Sequence, residues 1–253
     1  MCTPIKKQVT WIIDKRFMEK IYKSLYKDSD EIAGKIFFED YLCNKEVCNK
    51  KIKDYTISKG NGASVLTPFG IINFHTHPKS AYEGENAKYG WPSGEDMRQS
   101  LEFADKGCLV HLVFTLEGVY VINVLKLNIN KKDKQILETV LKMTHIFRSS
   151  NQKEQYKNFI KFMGKTDSRT TLDTWLKLVN NLTLKKLYKM YNFLNNKKLT
   201  IPNDKSKIFN VSLVKNSPDI KFKANFIEAN CHYKSFYGHS YQRNKSLKNH
   251  KNL

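Results

Sequence analysis

Residues 70–78 read GIINFHTHP, an apolar run that ends in two histidines one residue apart and then a proline. The run is rich in β-forming residues and Pro78 cannot continue a strand, so we predict a buried strand over 70–77. Residues two apart in a strand point to the same side. His75 and His77 therefore direct both imidazoles at one place, with Thr76 on the other face. Imidazole suits zinc, so this strand end predicts half of a metal site.

A second informative stretch, WPSGED, occupies residues 91–96. A serine followed three residues later by an acidic residue is the capping-box pattern, and apolar periodicity predicts a helix from Ser93 to about residue 106. Taken alone, Asp96 is simply part of that cap. Because the helix starts soon after the histidine strand ends, we also expect Asp96 to lie within reach of both histidines. A capped helix and a third metal ligand are compatible, since the cap holds first-turn side chains in place.

The rest of the first half alternates helical and strand patterns. Hydrophobic periodicity and turn residues place the boundaries. The predicted elements are a helix over 14–28, strands over 31–38, 52–58, 108–115 and 118–127, a tight turn at 116–118, and a loop over 79–92. We therefore predict one α/β domain over residues 1–130, which is an ordinary size for a compact domain.

Glu31 is the candidate for a carboxylate that is not a metal ligand. It heads the strand over 31–38. If that strand lies beside the histidine strand, Glu31 faces the same site and can move a proton during hydrolysis. A glutamate at a strand start is otherwise most often a solvent-exposed residue.

Three segments together resemble the JAMM/MPN+ zinc metalloprotease family. They are EIAG at 31–34, HTHP at 75–78 and SGED at 93–96, each in the order and predicted secondary structure of the family motif. The resemblance covers roughly residues 10–130. A lone HTHP would be a weak signal, whereas three segments that agree in residue type, order and predicted secondary structure are specific.

The resemblance implies a role for each matching residue. His75, His77 and Asp96 would bind Zn²⁺, with water in the fourth position. Glu31 would be the general base and acid. Ser93 would hydrogen-bond the developing oxyanion or the water.

The resemblance also implies a fold and an activity. The fold would be cytidine-deaminase-like, of the MPN type, with a curved mixed β-sheet flanked by helices. The activity would be zinc-dependent hydrolysis of isopeptide or peptide bonds, as in deubiquitinases that act on ubiquitin or ubiquitin-like conjugates. Some members have lost their ligands and act as scaffolds, but every ligand-type residue is present here.

The segment between the histidines and Ser93 departs from the family pattern, because its length is about twice the usual one. The additional residues fall at the mouth of the predicted site, where they would form a substrate lid or specificity loop, or else a tolerated surface insertion. This spacing and the lysine- and asparagine-rich composition resemble the versions encoded by large DNA viruses.

The second half differs in charge and pattern. Residues 1–130 carry 18 basic and 16 acidic side chains, whereas residues 131–253 carry 26 and 8. We predict a basic, mainly helical region over 131–231 and a disordered basic tail over 232–253. Within that region the predicted elements are helices over 131–148, 153–163 and 170–196, and a β-hairpin formed by strands at 209–213 and 220–226.

The basic half and the bulk composition suggest partners and a location. Concentrated positive charge favours an acidic partner or nucleic acid, although biased composition explains it equally well. The sequence shows no bilayer-length apolar run and no secretory signal pattern, and its five cysteines include no CxxC pair. We therefore expect a soluble, intracellular protein without a membrane span, in the cytoplasm, nucleus or virion.

Two other functions remain open at this point. One is a structural or assembly protein, such as a virion component, whose MPN-like domain is a scaffold and whose basic half docks onto a partner. The other is a nucleic-acid-binding protein with an incidental zinc site.

Overall fold

The computed structural model describes residues 5–38, 47–61, 65–85, 87–145 and 171–228. The strands are β1 (Ile5–Ile13), β2 (Ile32–Phe38), β3 (Val47–Lys59), β4 (Ile72–Thr76), β5 (Val110–Phe114), β6 (Val119–Val124), β7 (Phe209–Val214) and β8 (Ile220–Glu228). The helices are α1 (Lys15–Lys27), α2 (Lys79–Glu85), α3 (Gly94–Asp105), α4 (Lys131–His145), α5 (Thr171–Asn180) and α6 (Leu184–Leu194).

All eight strands form one mixed sheet in the order β7-β6-β5-β4-β2-β3-β1-β8. The β1–β3 and β4–β5 pairs are parallel and the others are antiparallel. The sheet curls strongly, because Ile220 and Phe222 of edge strand β8 share a core with Val119 and Val121 of β6. The protein is thus a mixed α/β structure with a near-barrel sheet.

Helix α1 fills the inside of the curled sheet. Asp14 caps it by accepting a hydrogen bond from the Phe17 amide at 3.0 Å. Phe17, Ile21 and Leu25, spaced four residues apart on one face of the helix, are fully buried, and the Phe17 ring meets the Phe74 ring edge-on at 5.2 Å. The burial of this stripe is the dominant favourable contribution to packing the helix.

The outer face of β5, β6 and β7 is covered by α3, α4, α5 and α6. Trp91 stacks on Trp175 at 5.5 Å, and the Tyr188 hydroxyl donates to buried Asp133 at 2.6 Å, which joins α6 to α4. Residues on both sides of position 130 therefore build one sheet and share one outer core.

The prediction of a β-hairpin is wrong, although both predicted strands are present as β7 and β8. β7 pairs with β6 over six residues, and β8 pairs with β1 over nine residues at the opposite end of the sheet. The connecting segment is held elsewhere, since the Asn216 side chain donates to the carbonyls of Thr115 and Leu116 at 3.1 Å. Alternation along a strand identifies its buried face, and it carries no information about the partner strand.

Other elements differ in extent from the sequence-based expectation. The helix predicted over 170–196 is interrupted, because Thr183 accepts from the Lys186 amide at 3.2 Å and caps α6 as a new helix. The loop predicted over 79–92 contains α2. The helix predicted over 153–163 and the tail over 232–253 lie outside the described residues. Among the helices within those residues, none combines the length and apolar character that crossing a bilayer requires.

Gly34 and Gly84 form a matched pair of glycine positions that tests the packing of β2. A Cβ at Gly34 would overlap the Thr56 carbonyl oxygen and lie 2.6 Å from the Phe74 ring, whereas a Cβ at Gly84 of α2 would meet nothing within 4 Å. We expect Gly34→Ala to destabilise the fold by about 1–3 kcal/mol through overpacking. Gly84→Ala should be neutral or stabilising by up to about 1 kcal/mol. Urea unfolding of both variants checks this, and equal stabilities would contradict the strand packing.

Candidate metal centre

The end of β4 and the first turn of α3 bring the three predicted ligands together. His75 lies in β4, His77 follows it directly, and Asp96 lies in the first turn of α3. The two Nε2 atoms are 3.0 Å apart, and the Asp96 carboxylate oxygens lie 3.3 Å from His75 Nε2 and 3.4 Å from His77 Nε2. One ligand atom from each residue lies within 4.8 Å of the others. This group can hold a metal ion.

Strand alternation places the two histidines as predicted. Thr76 points to the opposite face, where its hydroxyl accepts from the Ile32 amide at 3.0 Å and lies 3.5 Å from the Ser24 hydroxyl of α1. His75 and His77 lie on the side of α3. The face of the strand that carries the ligands is thus set by contacts on its other face.

Ser93 and Asp96 form the capping box that the sequence predicts. The Ser93 hydroxyl accepts from the Asp96 amide at 3.0 Å, and the Asp96 carboxylate accepts from the Ser93 amide at 2.6 Å. The same carboxylate faces both imidazoles. The helix cap and the ligand position are therefore both present, and the cap orients the carboxylate.

Each histidine is held by a hydrogen bond at its other ring nitrogen. His77 Nδ1 donates to the Gly90 carbonyl oxygen at 2.8 Å, which leaves Nε2 without a proton in the neutral ring. His75 Nδ1 lies 3.0 Å from Nε2 of His111, a fully buried side chain. His77 Nε2 thus presents its lone pair to the small volume that it shares with His75 Nε2 and the Asp96 carboxylate. A ligating histidine held in this way is the usual arrangement around a metal.

The pKa shifts of His77 and Asp96 indicate that the three side chains favour a positive charge between them. Burial alone lowers the pKa of His77, but the hydrogen bond to Asp96 and its charge outweigh burial, so the pKa is raised. Burial likewise favours a neutral Asp96, yet the charge and hydrogen bonds of His75 and His77 hold its pKa well below the usual value. Both shifts favour a positive charge between the imidazoles and the carboxylate, which a divalent cation would supply.

Glu31 lies at the same site, as the sequence predicts. β2 pairs with β4 in a register that sets Ala33 opposite His75, and continuing this antiparallel register brings Glu31 beside His77. Glu31 is only 8% exposed. A cavity of about 250 Å³ lies at the site, and its walls include Glu31, His75, His77, Ser93 and Asp96. All five predicted site residues therefore line one cavity.

The long segment before Ser93 is anchored to the body of the protein. Glu117, in the turn between β5 and β6, accepts from the Tyr82 hydroxyl at 2.6 Å and from the Gly90 amide at 2.8 Å. A Cβ at Gly90 would overlap the Tyr82 hydroxyl, so the close approach requires glycine there. Because Gly90 also accepts from His77, this segment supports a ligand.

Sequence reasoning missed the residues that hold the imidazoles. Alternation from His75 places Asn73 on the same face of β4, which was an available signal. The contact of His75 with His111 depends on the parallel pairing of β4 with β5, and the contact of His77 with Gly90 depends on the path of a long loop. Neither of these is encoded in a local pattern.

Comparison with known proteins shows a similarity to a viral protein over part of the chain. The chain is 32% identical over 118 residues to "Uncharacterized protein 3R" of Frog virus 3 (isolate Goorha), a match that covers 45% of this chain and 26% of that protein. The match thus spans about a quarter of the length of that relative. No family model matches the chain. No solved structure matches it either.

Ser93 and Asp96 offer a test that separates the helix cap from the metal ligand. Asp96→Asn keeps an oxygen for the Ser93 amide and loses the negative charge, so we expect it to lose divalent-metal binding. Ser93→Ala loses the cap, which costs about 1 kcal/mol of stability, and should still bind metal. Metal titration and urea unfolding of the metal-free proteins measure the two effects. Wild-type metal affinity in Asp96→Asn would contradict the ligand assignment.

Proposed function

We propose that the protein is a zinc-dependent JAMM-type isopeptidase that acts on ubiquitin or ubiquitin-like conjugates. The observation that carries the proposal is the convergence of His75, His77 and Asp96 in one cavity with Glu31 beside them. Three ligands and a neighbouring carboxylate are a set of groups with which a protein can carry out metal-assisted hydrolysis of an amide.

Zinc is the ion that this donor set fits best. Two imidazole nitrogens and one carboxylate oxygen form a ligand set typical of catalytic zinc, which keeps a further position open. When bound, zinc polarises a carbonyl and lowers the pKa of water at the site. The hydrogen bonds at both Nδ1 atoms favour a site prepared for an ion of this kind.

Glu31 moves the proton in this proposal. It takes a proton from water as the water oxygen attacks the isopeptide carbonyl carbon. It then gives that proton to the lysine nitrogen as the carbon–nitrogen bond breaks, so that a carboxylic acid and an amine leave. Burial of Glu31 at 8% exposure keeps bulk water from competing for the proton.

Ser93 stabilises the charge that develops on the carbonyl oxygen. Its hydroxyl oxygen accepts from the Asp96 amide, which leaves the hydroxyl hydrogen for a second partner in the cavity. A donor held in this way stabilises an oxyanion with little reorganisation.

The elements that carry these residues support an MPN-type fold. The glutamate precedes β2, the histidines end β4, and the serine and aspartate begin a helix, as the family motif requires. The similarity to a Frog virus 3 protein supports a viral origin for the chain.

Binding to an acidic partner or nucleic acid is a second candidate function, supported by an exposed row of lysines. Ile12 of β1 pairs with Lys51 of β3 on one side and Lys221 of β8 on the other, so both lysines project from one face. Lys51, Lys221 and Lys223 are exposed. Such a face attracts a polyanion in a salt-dependent way, and it accounts for neither Glu31 nor the buried ligands.

Glu31→Gln provides the test of catalysis, because the amide matches the carboxylate in shape and cannot carry the proton. We expect it to keep one zinc per chain and to lose about 10²–10⁴-fold in turnover of a linkage-specific diubiquitin panel. Glu102→Gln, a change of the same kind on α3 at a residue that pairs with Arg98, serves as the control and should keep wild-type activity.

Two outcomes would contradict the proposal in different ways. A Glu31→Gln protein as active as the wild type would remove Glu31 from the chemistry. A zinc-loaded wild type that cleaves no ubiquitin or ubiquitin-like conjugate would refute the substrate assignment and favour a scaffold role.

A further inference from the structure

We propose that Asn73 and His111 are positioning residues that set the tautomer of His75 and so make it a metal ligand. The proposal rests on the metal-binding part of the proposed function and is independent of which bond the protein cuts. It assigns a role to His111, a buried histidine of β5.

The directions of the hydrogen bonds between Asn73 and His111 and between His111 and His75 follow from the Asn73 side-chain oxygen. His111 Nδ1 lies 2.7 Å from Asn73 Oδ1, and an amide oxygen only accepts, so the proton resides on His111 Nδ1. His111 Nε2 in the neutral ring then carries a lone pair. It accepts from His75 Nδ1, 3.0 Å away. His75 Nε2, which faces His77 and Asp96, is thereby left unprotonated.

The orientation of the Asn73 amide is itself fixed by two neighbours. Its Nδ2 donates to the Pro68 carbonyl oxygen at 3.5 Å, so the nitrogen points away from His111. Its Oδ1 also accepts from the Cys108 thiol at 3.4 Å. A rotated amide would lose both contacts and would turn its oxygen towards the Pro68 carbonyl oxygen, where two acceptors repel each other.

Asn73, His111 and His75 form a hydrogen-bonded series, called the relay below, and the fold holds these three side chains in one arrangement. The parallel pairing of β4 and β5 sets Asn73 opposite His111. Asn73 is 0% exposed, His111 2% and His75 4%. The His111 ring also stacks on His75 with centroids 5.0 Å apart and lies against Phe103. Because Asn73 and His111 are buried from bulk solvent, no solvent molecule replaces a missing partner at His111, so these hydrogen bonds determine the tautomer.

The consequence for metal binding is direct. If His111 lost its acceptor role, the His75 proton would be free to reside on Nε2. A protonated Nε2 has no lone pair to offer, so the site would retain only His77 and Asp96 in a competent state. Outer partners of ligating histidines typically contribute 10–100-fold to metal affinity.

The test is the zinc affinity of the full chain, measured by competition with a chromophoric chelator. We expect His111→Leu to weaken zinc binding by about 10–100-fold. His111→Gln should restore most of the affinity, since its side-chain oxygen can accept from His75 Nδ1. Phe103→Leu is the matched control, because it alters packing against the His111 ring without touching the relay, and it should bind zinc like the wild type.

A second readout reports the ligand itself. The visible absorption of the Co²⁺-substituted protein should change in His111→Leu and return towards the wild-type spectrum in His111→Gln. If His111→Leu fails to fold, Asn73→Leu provides the same test, because it frees the His111 ring to reverse its tautomer.

The outcomes separate this inference from the function on which it rests. Wild-type zinc affinity in His111→Leu, or an equal loss in His111→Leu, His111→Gln and Phe103→Leu, would overturn the relay and leave the isopeptidase proposal standing. Absence of zinc binding in the wild type would overturn both. Inactivity of a zinc-loaded wild type towards every conjugate would overturn only the substrate assignment. The zinc affinity and the Co²⁺ absorption spectrum, which test the relay, do not depend on turnover.

Discussion

The convergence of two imidazole lone pairs and a carboxylate in a buried volume is the constraint on which the site depends. His75 Nε2 and His77 Nε2 are 3.0 Å apart, and the Asp96 oxygens lie only slightly further away. Acceptors packed this closely repel one another unless a positive charge lies between them. Glu31 adds a further carboxylate to the same cavity. A divalent cation resolves this conflict for the whole group, so its binding would also stabilise the fold.

The fold produces this convergence by fixing the register of one strand. A slip of one residue in β4 would direct both histidines into the inner core and Thr76 towards α3. The Phe74 ring against Phe17, and the Thr76 hydroxyl against the Ile32 amide, oppose such a slip. On the outer face, the first turn of α3 carries the Asp96 carboxylate, whose orientation the helix cap holds. The inner core and the metal centre are therefore two consequences of one strand register.

Much of this arrangement could be predicted from local sequence, and the limits have physical causes. Period-two alternation was sufficient to place His75 and His77 on one face, and the capping pattern was sufficient to locate Asp96. The strands that became β7 and β8 were recognised, but their partners were not, because alternation carries no pairing information and the two strands join opposite ends of the sheet. The supports of the site at His111 and Gly90 depend on strand pairing and on a long loop. Such contacts between distant parts of the chain leave no periodic signal.

The zinc content of the purified protein, measured by elemental analysis beside His77→Ala, tests the central claim most directly. We predict about one zinc per wild-type chain and its loss in the variant. No zinc in the wild type, even after refolding with added zinc, would contradict the account. The histidine pair and the capped aspartate would then be a strand end and a helix start that happen to meet, and a scaffold role would explain the protein better.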